Sequence, residues 1–270
     1  MLRFGYEIGY ADNITKPIDP SDPDNSSRII LNKFEKLYIR MFGFPDITKQ
    51  LQAYEIFSIL NMFTFKNVLD IGCAQGHYSI SIARKYPNCI VTGIDIRQEE
   101  LIVGEEVKKK LEIKNLLFKK ENIYEISKNE KYELVLLLQV IEHLEDDIKV
   151  LNKISEILSK KGIVIITGPI SNLPKWFKSG RKKNIDSHYR EGYNLVELTD
   201  TISGLGLKIL QTKYLSGYFG ELIEKIATFL ELKSIYLYAL IYPILCTLLI
   251  IEKKIKKQIG SGFPIIGMKT

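Results

Sequence analysis

From Asn67 onward the chain alternates short, mostly apolar runs with longer amphipathic ones, and few folds accept that pattern. The runs are Asn67–Gly72 (NVLDIG), Cys89–Asp95 (CIVTGID), Leu116–Phe118, Tyr132–Leu138 (YELVLLL) and Gly162–Thr167 (GIVIIT). A strand with one wet face alternates apolar and polar residues, whereas a strand covered by helices on both faces is apolar throughout. The intervening segments repeat apolar residues at helical spacing. In Val140–Leu158, for instance, Ile141, Leu144, Ile148, Leu151, Ile154 and Leu158 fall on one side. The pattern predicts an α/β fold in which helices cover both faces of a doubly wound, mostly parallel sheet.

Upstream, residues 17–27 (PIDPSDPDNSS) are dense in Pro, Asp and Ser and read as a surface loop. Between Arg28 and Phe65 the pattern turns helical, with a stripe of Ile56, Ile59, Leu60 and Phe63 leading into the first strand. Residues 1–66 therefore form an N-terminal helical and loop region expected to cover an acceptor site, ahead of a main domain over 67–270. With 46% hydrophobic and 26% charged residues, wholesale disorder is excluded. Cys73, Cys89 and Cys246 are an odd, scattered set, which argues against a disulfide framework or a cysteine zinc site and fits a reducing compartment.

The net charge of +6 is concentrated rather than spread. Pro174–Arg190 (PKWFKSGRKKNIDSHYR) holds six Lys or Arg against one Asp, and Lys253–Lys257 (KKIKK) holds four lysines, which leaves the remainder net negative. Two local anion-facing patches fit that distribution better than a nucleic-acid coat does, so no nucleic acid is expected as a partner. The N-terminus MLRFGYEIGYADN has no apolar signal region, and a cytoplasmic location is expected.

The strongest chemical signal is the turn after the first strand, Asp70-Ile71-Gly72-Cys73-Ala74-Gln75-Gly76. Glycines let backbone approach a ligand closely, and the helix that follows presents free N–H groups. Asp95 comes 19 residues after Gly76, at the end of the second strand, where a carboxylate can accept hydrogen bonds from ribose hydroxyls. A dinucleotide site wants GxGxxG for its pyrophosphate. Here Gly72 and Gly76 are spaced GxxxG, and Asp70 would repel a pyrophosphate but suits a ligand carrying an ammonium and a sulfonium. A nicotinamide-dependent oxidoreductase is disfavoured on both counts.

These residues resemble the class I S-adenosylmethionine-dependent methyltransferases, whose motif (D/E)xGxGxG is matched by Asp70, Gly72 and Gly76, with Ala74 at the middle glycine. The resemblance runs from about Val68 to Thr167. It implies a seven-stranded sheet closing in an antiparallel pair, for which Leu207–Tyr214 and Gly262–Lys269 are the candidates. It also implies S-adenosyl-L-methionine as cofactor. The glycine turn would hold the methionine part, Asp95 the ribose, Asn122 after the third strand the adenine amine, and Gln139 at the end of the fourth strand would line the pocket.

The following residues, Ile141-Glu142-His143-Leu144-Glu145-Asp146, look like the EHLxD segment of small-molecule methyltransferases. His143 is a candidate general base, since an imidazole titrates near neutrality. Glu142 and His143 could instead ligate a metal, although Gln139 is a poor third ligand, or they could simply pack the helix start. No metal is expected. His188 is the second candidate base, in a segment similar to one found near the acceptor in such enzymes; Arg190 would bind an anionic group of the substrate and Tyr193 would lie beside it. His77, just after the glycine turn, is expected to pack rather than react.

Ile235–Ile251 (IYLYALIYPILCTLLII) is 17 residues long without a charge. As a helix it reaches roughly 26 Å, short of a hydrocarbon core of about 30 Å. A span would also separate the two final strands, so an apolar helical insertion at about 218–258 is expected as an interfacial helix or lid, with the lysines of 253–257 toward anionic headgroups; a core or dimer helix and a membrane span are the alternatives. The whole implies a methyltransferase, expected to be an O-methyltransferase acting on a small, lipid-linked or glycan-type acceptor and peripheral on the inner membrane face. The alternative is a noncatalytic nucleoside-fold binding or scaffold protein at the membrane surface.

Overall fold

The structure is a computed structural model that describes residues 47–171, 173–174, 189–255 and 259–270. A helix, α1 (Ile47–Leu60), precedes an alternation of five strands and four helices. They comprise β1 (Asn67–Ile71), α2 (His77–Lys85), β2 (Ile90–Asp95), α3 (Gln98–Lys110), β3 (Leu116–Lys120), β4 (Tyr132–Leu138), α4 (Asp147–Ile157), β5 (Leu158–Pro169) and α5 (Leu195–Gly204). The chain closes with β6 (Leu207–Thr212), α6 (Tyr218–Lys233), α7 (Ile235–Lys254) and β7 (Gly262–Lys269). The strands form one seven-stranded sheet in the order β3-β2-β1-β4-β5-β7-β6. Strands β1 to β5 pair in parallel, and β7 runs antiparallel to both β5 and β6. The expected mixed sheet, with its antiparallel terminal pair, is the observed one.

The apolar runs explain this sheet directly. Successive side chains of a strand point to opposite faces, and both faces here are covered. Val68, Leu134, Leu136 and Ile165 join one core with α1 and α2. Their neighbours Leu69, Val135, Leu137 and Ile166 join a second core with α4 and α5. A third cluster joins α6 and α7 to the first turns of α1, through Ile47 and Leu51. Helix α1 therefore bridges the main domain and the helical pair, with Ala53, Ile56 and Phe57 in the sheet's core.

One expectation needs correction. The single amphipathic segment read over Val140–Leu158 is divided into a short 3-10 turn, Ile141–His143, and α4. Leu144 is extended and the Asp146 side chain caps α4 by accepting from the Lys149 amide at 2.9 Å, so a new helix starts there. Leu158, the last residue of the stripe, instead begins β5. Apolar spacing alone does not register a cap inside an apolar stretch.

Candidate active site

Four parallel strands end side by side, and each carries one of the residues expected at a nucleoside site. The turn after β1 is held open by its backbone. Gly72 has φ 66° and Gly76 φ 77°, both left-handed, and Ala74 adopts φ 47° although it is not a glycine. A Cβ on Gly72 would lie 2.5 Å from Val140 Cγ2, and one on Gly76 would collide with the Phe118 ring. The turn is tied to its neighbours by the Cys73 amide, which donates to Ile94 O at 3.0 Å, and the Gly76 amide, which donates to Cys73 O at 2.8 Å.

Asp95, the last residue of β2, is buried against this turn. Its Oδ2 accepts from the Ala74 amide at 2.9 Å, and its Oδ1 accepts from the Arg97 amide at 2.9 Å. Two residues beyond β3, Asn122 caps a 3-10 turn by accepting from the Tyr124 amide at 3.1 Å. An amide oxygen can accept twice, so Asn122 keeps capacity for an adenine amine. The Glu121 amide donates to Asp95 O at 3.2 Å, which fixes Asn122 beside the β2 end.

Asp70 lies beneath the turn and is 3% exposed. Burial pushes its carboxyl up to about 7; the Ser79 hydroxyl, 2.6 Å from Oδ2, opposes the rise, and Asp95 adds to it. A buried acid in that state is a receptor for positive charge, because a nearby cation restores the ionised form. Gln139 follows β4 with φ 56°, another left-handed position without glycine. Its amide donates to Thr167 O and Thr167 Oγ1, both at 3.1 Å, and its side-chain nitrogen lies 3.2 Å from the same hydroxyl.

The residues chosen for catalysis and substrate divide. Glu142 is buried, its Oε2 has no hydrogen-bond partner among the described residues, and burial raises its carboxyl. His143 next to it is exposed at the same edge of the sheet, so the two side chains face different surroundings. Among the described residues no cluster of His, Cys, Asp and Glu could hold a metal. His188 lies outside the described residues. His77 starts α2 and its imidazole is pushed down to about 4, first by burial and then by Lys49, which keeps it neutral.

Arg190 and Tyr193 are committed to a carboxylate that sequence reading passed over. Arg190 Nε lies 3.1 Å from Asp147 Oδ2, and the Tyr193 hydroxyl is 2.9 Å from the same oxygen and 2.8 Å from Ile141 O. Tyr193 is therefore a buried tie between the end of β5, where its amide donates to Pro169 O, and α4. Arg190 remains half-exposed in a cavity of about 230 Å³ that Asp147 and Tyr193 also line.

Two further residues at this edge were missed. Gln52 on α1 donates to Thr167 Oγ1 at 3.0 Å, which docks the N-terminal helix on the ends of β4 and β5. The signal was available in part, because Thr167 is the polar residue that ends the apolar run Gly162–Ile166. Nothing local points from Gln52 to it across 115 positions.

The comparisons with known proteins agree with this geometry. Residues 65–215 match a family model described as a methyltransferase domain. A (S)-tetrahydroprotoberberine N-methyltransferase of Eschscholzia californica is 29% identical over 101 residues, 37% of this chain and 29% of that protein. A ubiquinone biosynthesis O-methyltransferase of Haemophilus ducreyi is 29% identical over 111 residues, 38% of this chain and 44% of that protein. This chain thus aligns with less than half the length of either. Among solved structures, the plantazolicin methyltransferase BpumL in complex with SAH superposes with TM-score 0.56 at 19% identity, covering 100% of this chain and 96% of that one. The [4+2]-cyclase SpnF superposes with TM-score 0.58 at 14% identity, covering 81% and 82%.

Proposed function

Given that this chain belongs to the class I S-adenosylmethionine-dependent methyltransferases, with a methyltransferase domain over residues 65–215, we propose that it transfers a methyl group to the oxygen of a small, lipid-linked or glycan-type acceptor at an anionic membrane surface. The observation that carries the cofactor half is the pair of acids set on either side of one glycine turn. Asp95 faces the turn with a carboxylate already accepting from the Ala74 amide. Asp70 lies buried below it, and among the described residues no cation offsets its burial. A ligand with ribose hydroxyls at one end and positive charge at the other fits this donor and acceptor set.

S-adenosylmethionine supplies a methyl carbon already activated by a sulfonium. What this chain must add is alignment and exclusion of water. Gly72, Ala74 and Gly76 would hold the amino-acid end, Asp95 the ribose and Asn122 the adenine amine, while Gln139, fixed by its hydrogen bonds to Thr167, would wall the methyl end. His143, exposed beyond Gln139, is our candidate to take the proton from an acceptor hydroxyl, with His188 as the second. The exposed half of Arg190 is the candidate for an anionic part of the acceptor. The choice of oxygen follows the sequence motif; the aligned relatives named above include both N- and O-methyltransferases.

The [4+2]-cyclase that shares this fold shows that the scaffold alone does not dictate the reaction, and a noncatalytic scaffold is the second reading. Calorimetric titration with S-adenosylmethionine, with NADH as control, separates the possibilities. Micromolar binding of the former only, lost in Asp95→Ala, supports the methyltransferase. Binding of neither overturns it in favour of the scaffold.

A further inference from the structure

Helices α6 and α7 form an antiparallel hairpin joined by Ser234, and it is closed at its far end by a buried acid. Glu252, near the end of α7, accepts from the Gly217 amide at 2.8 Å, so the last turn of α7 lies against the first turn of α6. A carboxylate there also offsets the positive end of α6. The inner side of the hairpin packs Ile223 and Leu230 against Tyr242, Leu245 and Leu249, with Ile47 and Leu51 of α1 completing the cluster.

The outer side also carries large apolar side chains, and no described residue covers them. On α7, Tyr236, Leu240 and Ile244 recur at one-turn spacing and are 84%, 75% and 61% exposed, with Ile251 two turns further on. On α6, Leu222, Ile226 and Phe229 are exposed as well, again at helical spacing. Half of the large apolar side chains exposed among the described residues lie on these two helices. Single exposed hydrophobics are ordinary, but a contiguous stripe marks a surface that something covers.

The sequence and topology indicate what covers it. No described helix is long and apolar enough to cross a membrane. The hairpin also leaves the sheet after β6 and returns to it as β7, adjacent antiparallel strands, so a single crossing by α7 alone would separate two strands that pair. Four lysines follow the uncharged stretch, Lys253 and Lys254 within α7 and Lys256 and Lys257 just after it. An exposed apolar face bearing an aromatic residue, on a helix whose sequence runs directly into four lysines, suits contact with anionic lipid. We propose that the outer face of α6 and α7 is the surface on which the protein lies against an anionic bilayer.

This inference rests on the membrane-bound acceptor proposed above and gives it a route. Helix α1 contributes Ile47 and Leu51 to the hairpin cluster, and Gln52 of the same helix reaches Thr167 at the ends of β4 and β5. The bilayer face is therefore one helix away from the edge where the acceptor must meet the methyl group.

The test is co-sedimentation of the whole chain with vesicles of phosphatidylcholine alone or mixed with phosphatidylglycerol. The wild type, Leu240→Glu with Ile244→Glu, and Lys253, Lys254, Lys256 and Lys257 all changed to Gln are compared. The wild type is expected to bind the anionic vesicles preferentially, and each variant to lose binding about tenfold or more while keeping the wild-type affinity for S-adenosylmethionine in vesicle-free buffer. If the glutamate variant fails to fold, the lysine variant decides: unchanged binding overturns the proposal. A wild type that stays in solution also overturns it. A wild-type dimer that leaves vesicles unbound and becomes monomeric on Leu240→Glu with Ile244→Glu would assign the face to a second copy. Vesicle binding without any cofactor binding would sink the methyltransferase reading and leave this surface standing.

Discussion

The Ala74 amide donates to Asp95 Oδ2 at 2.9 Å, across 21 positions of sequence. The acid at the end of β2 and the middle position of the glycine turn are thus one unit before any ligand arrives. Asp95 orders the turn as well as facing the nucleoside, so the two roles should be separable by substitution.

Asp95→Asn preserves an acceptor for the Ala74 amide but removes the charge that two ribose hydroxyls would share. Asp95→Ala removes both. Hydrogen bonds to a charged group contribute about 1.5–3 kcal/mol each. We expect Asp95→Asn to weaken S-adenosylmethionine binding roughly tenfold or more with little change in unfolding midpoint. Asp95→Ala should lower both, as read by calorimetry and urea denaturation.

Asp70 makes the free protein pH-sensitive with a definite sign. Its folded value, raised to about 7 from 3.8, means that the folded state holds a proton that the unfolded chain has released. Its contribution to stability is fully present below about pH 4 and is lost as the pH rises toward 7. Cofactor binding runs the other way, because the ionised carboxylate attracts the cation. Affinity for S-adenosylmethionine should therefore rise between pH 6 and pH 8 in the wild type and stay flat in Asp70→Asn. A flat wild-type profile would show that Asp70 does not face the charge.

Ala74 carries a left-handed φ of 47° with a Cβ, a conformation that costs roughly 1–2 kcal/mol in residues other than glycine. Ala74→Gly should relieve it and raise stability by about 0.5–1 kcal/mol after the greater entropy of the unfolded glycine is deducted. Gly76→Ala should do the reverse and more strongly, since it adds the Phe118 clash to the backbone strain. Thermal melts of the two variants would give opposite shifts.

Tyr193 separates structure from chemistry at the acceptor side. Its hydroxyl is within hydrogen-bond reach of Ile141 O and Asp147 Oδ2, and Asp147 is otherwise held by Arg190. Tyr193→Phe should cost about 1–2 kcal/mol of stability and leave cofactor affinity unchanged. A loss of acceptor turnover without a loss of stability would return Tyr193 to the substrate.

The sheet and the cofactor turn were legible from residues alone because both are local. Continuous apolar runs specify strands covered on two faces wherever they occur, and the glycine pattern with its two acids specifies a backbone geometry within a few residues. Strand β4 and strand β7 have the bounds their composition predicts, Tyr132–Leu138 and Gly262–Lys269. Local patterns fail where a polar side chain chooses its partner across the fold. The sequence shows Arg190 and Tyr193 as a basic and an aromatic residue near an expected site; only the folded chain brings them to Asp147, more than forty positions away. Likewise, the apolar stretch Ile235–Ile251 is evident in the sequence, but which of its sides is buried is set by α1 and α6 packing against it. Apolar character and turn geometry are properties of short segments and are written in them. Partner choice and exposure depend on which surfaces meet, and only the tertiary structure decided those.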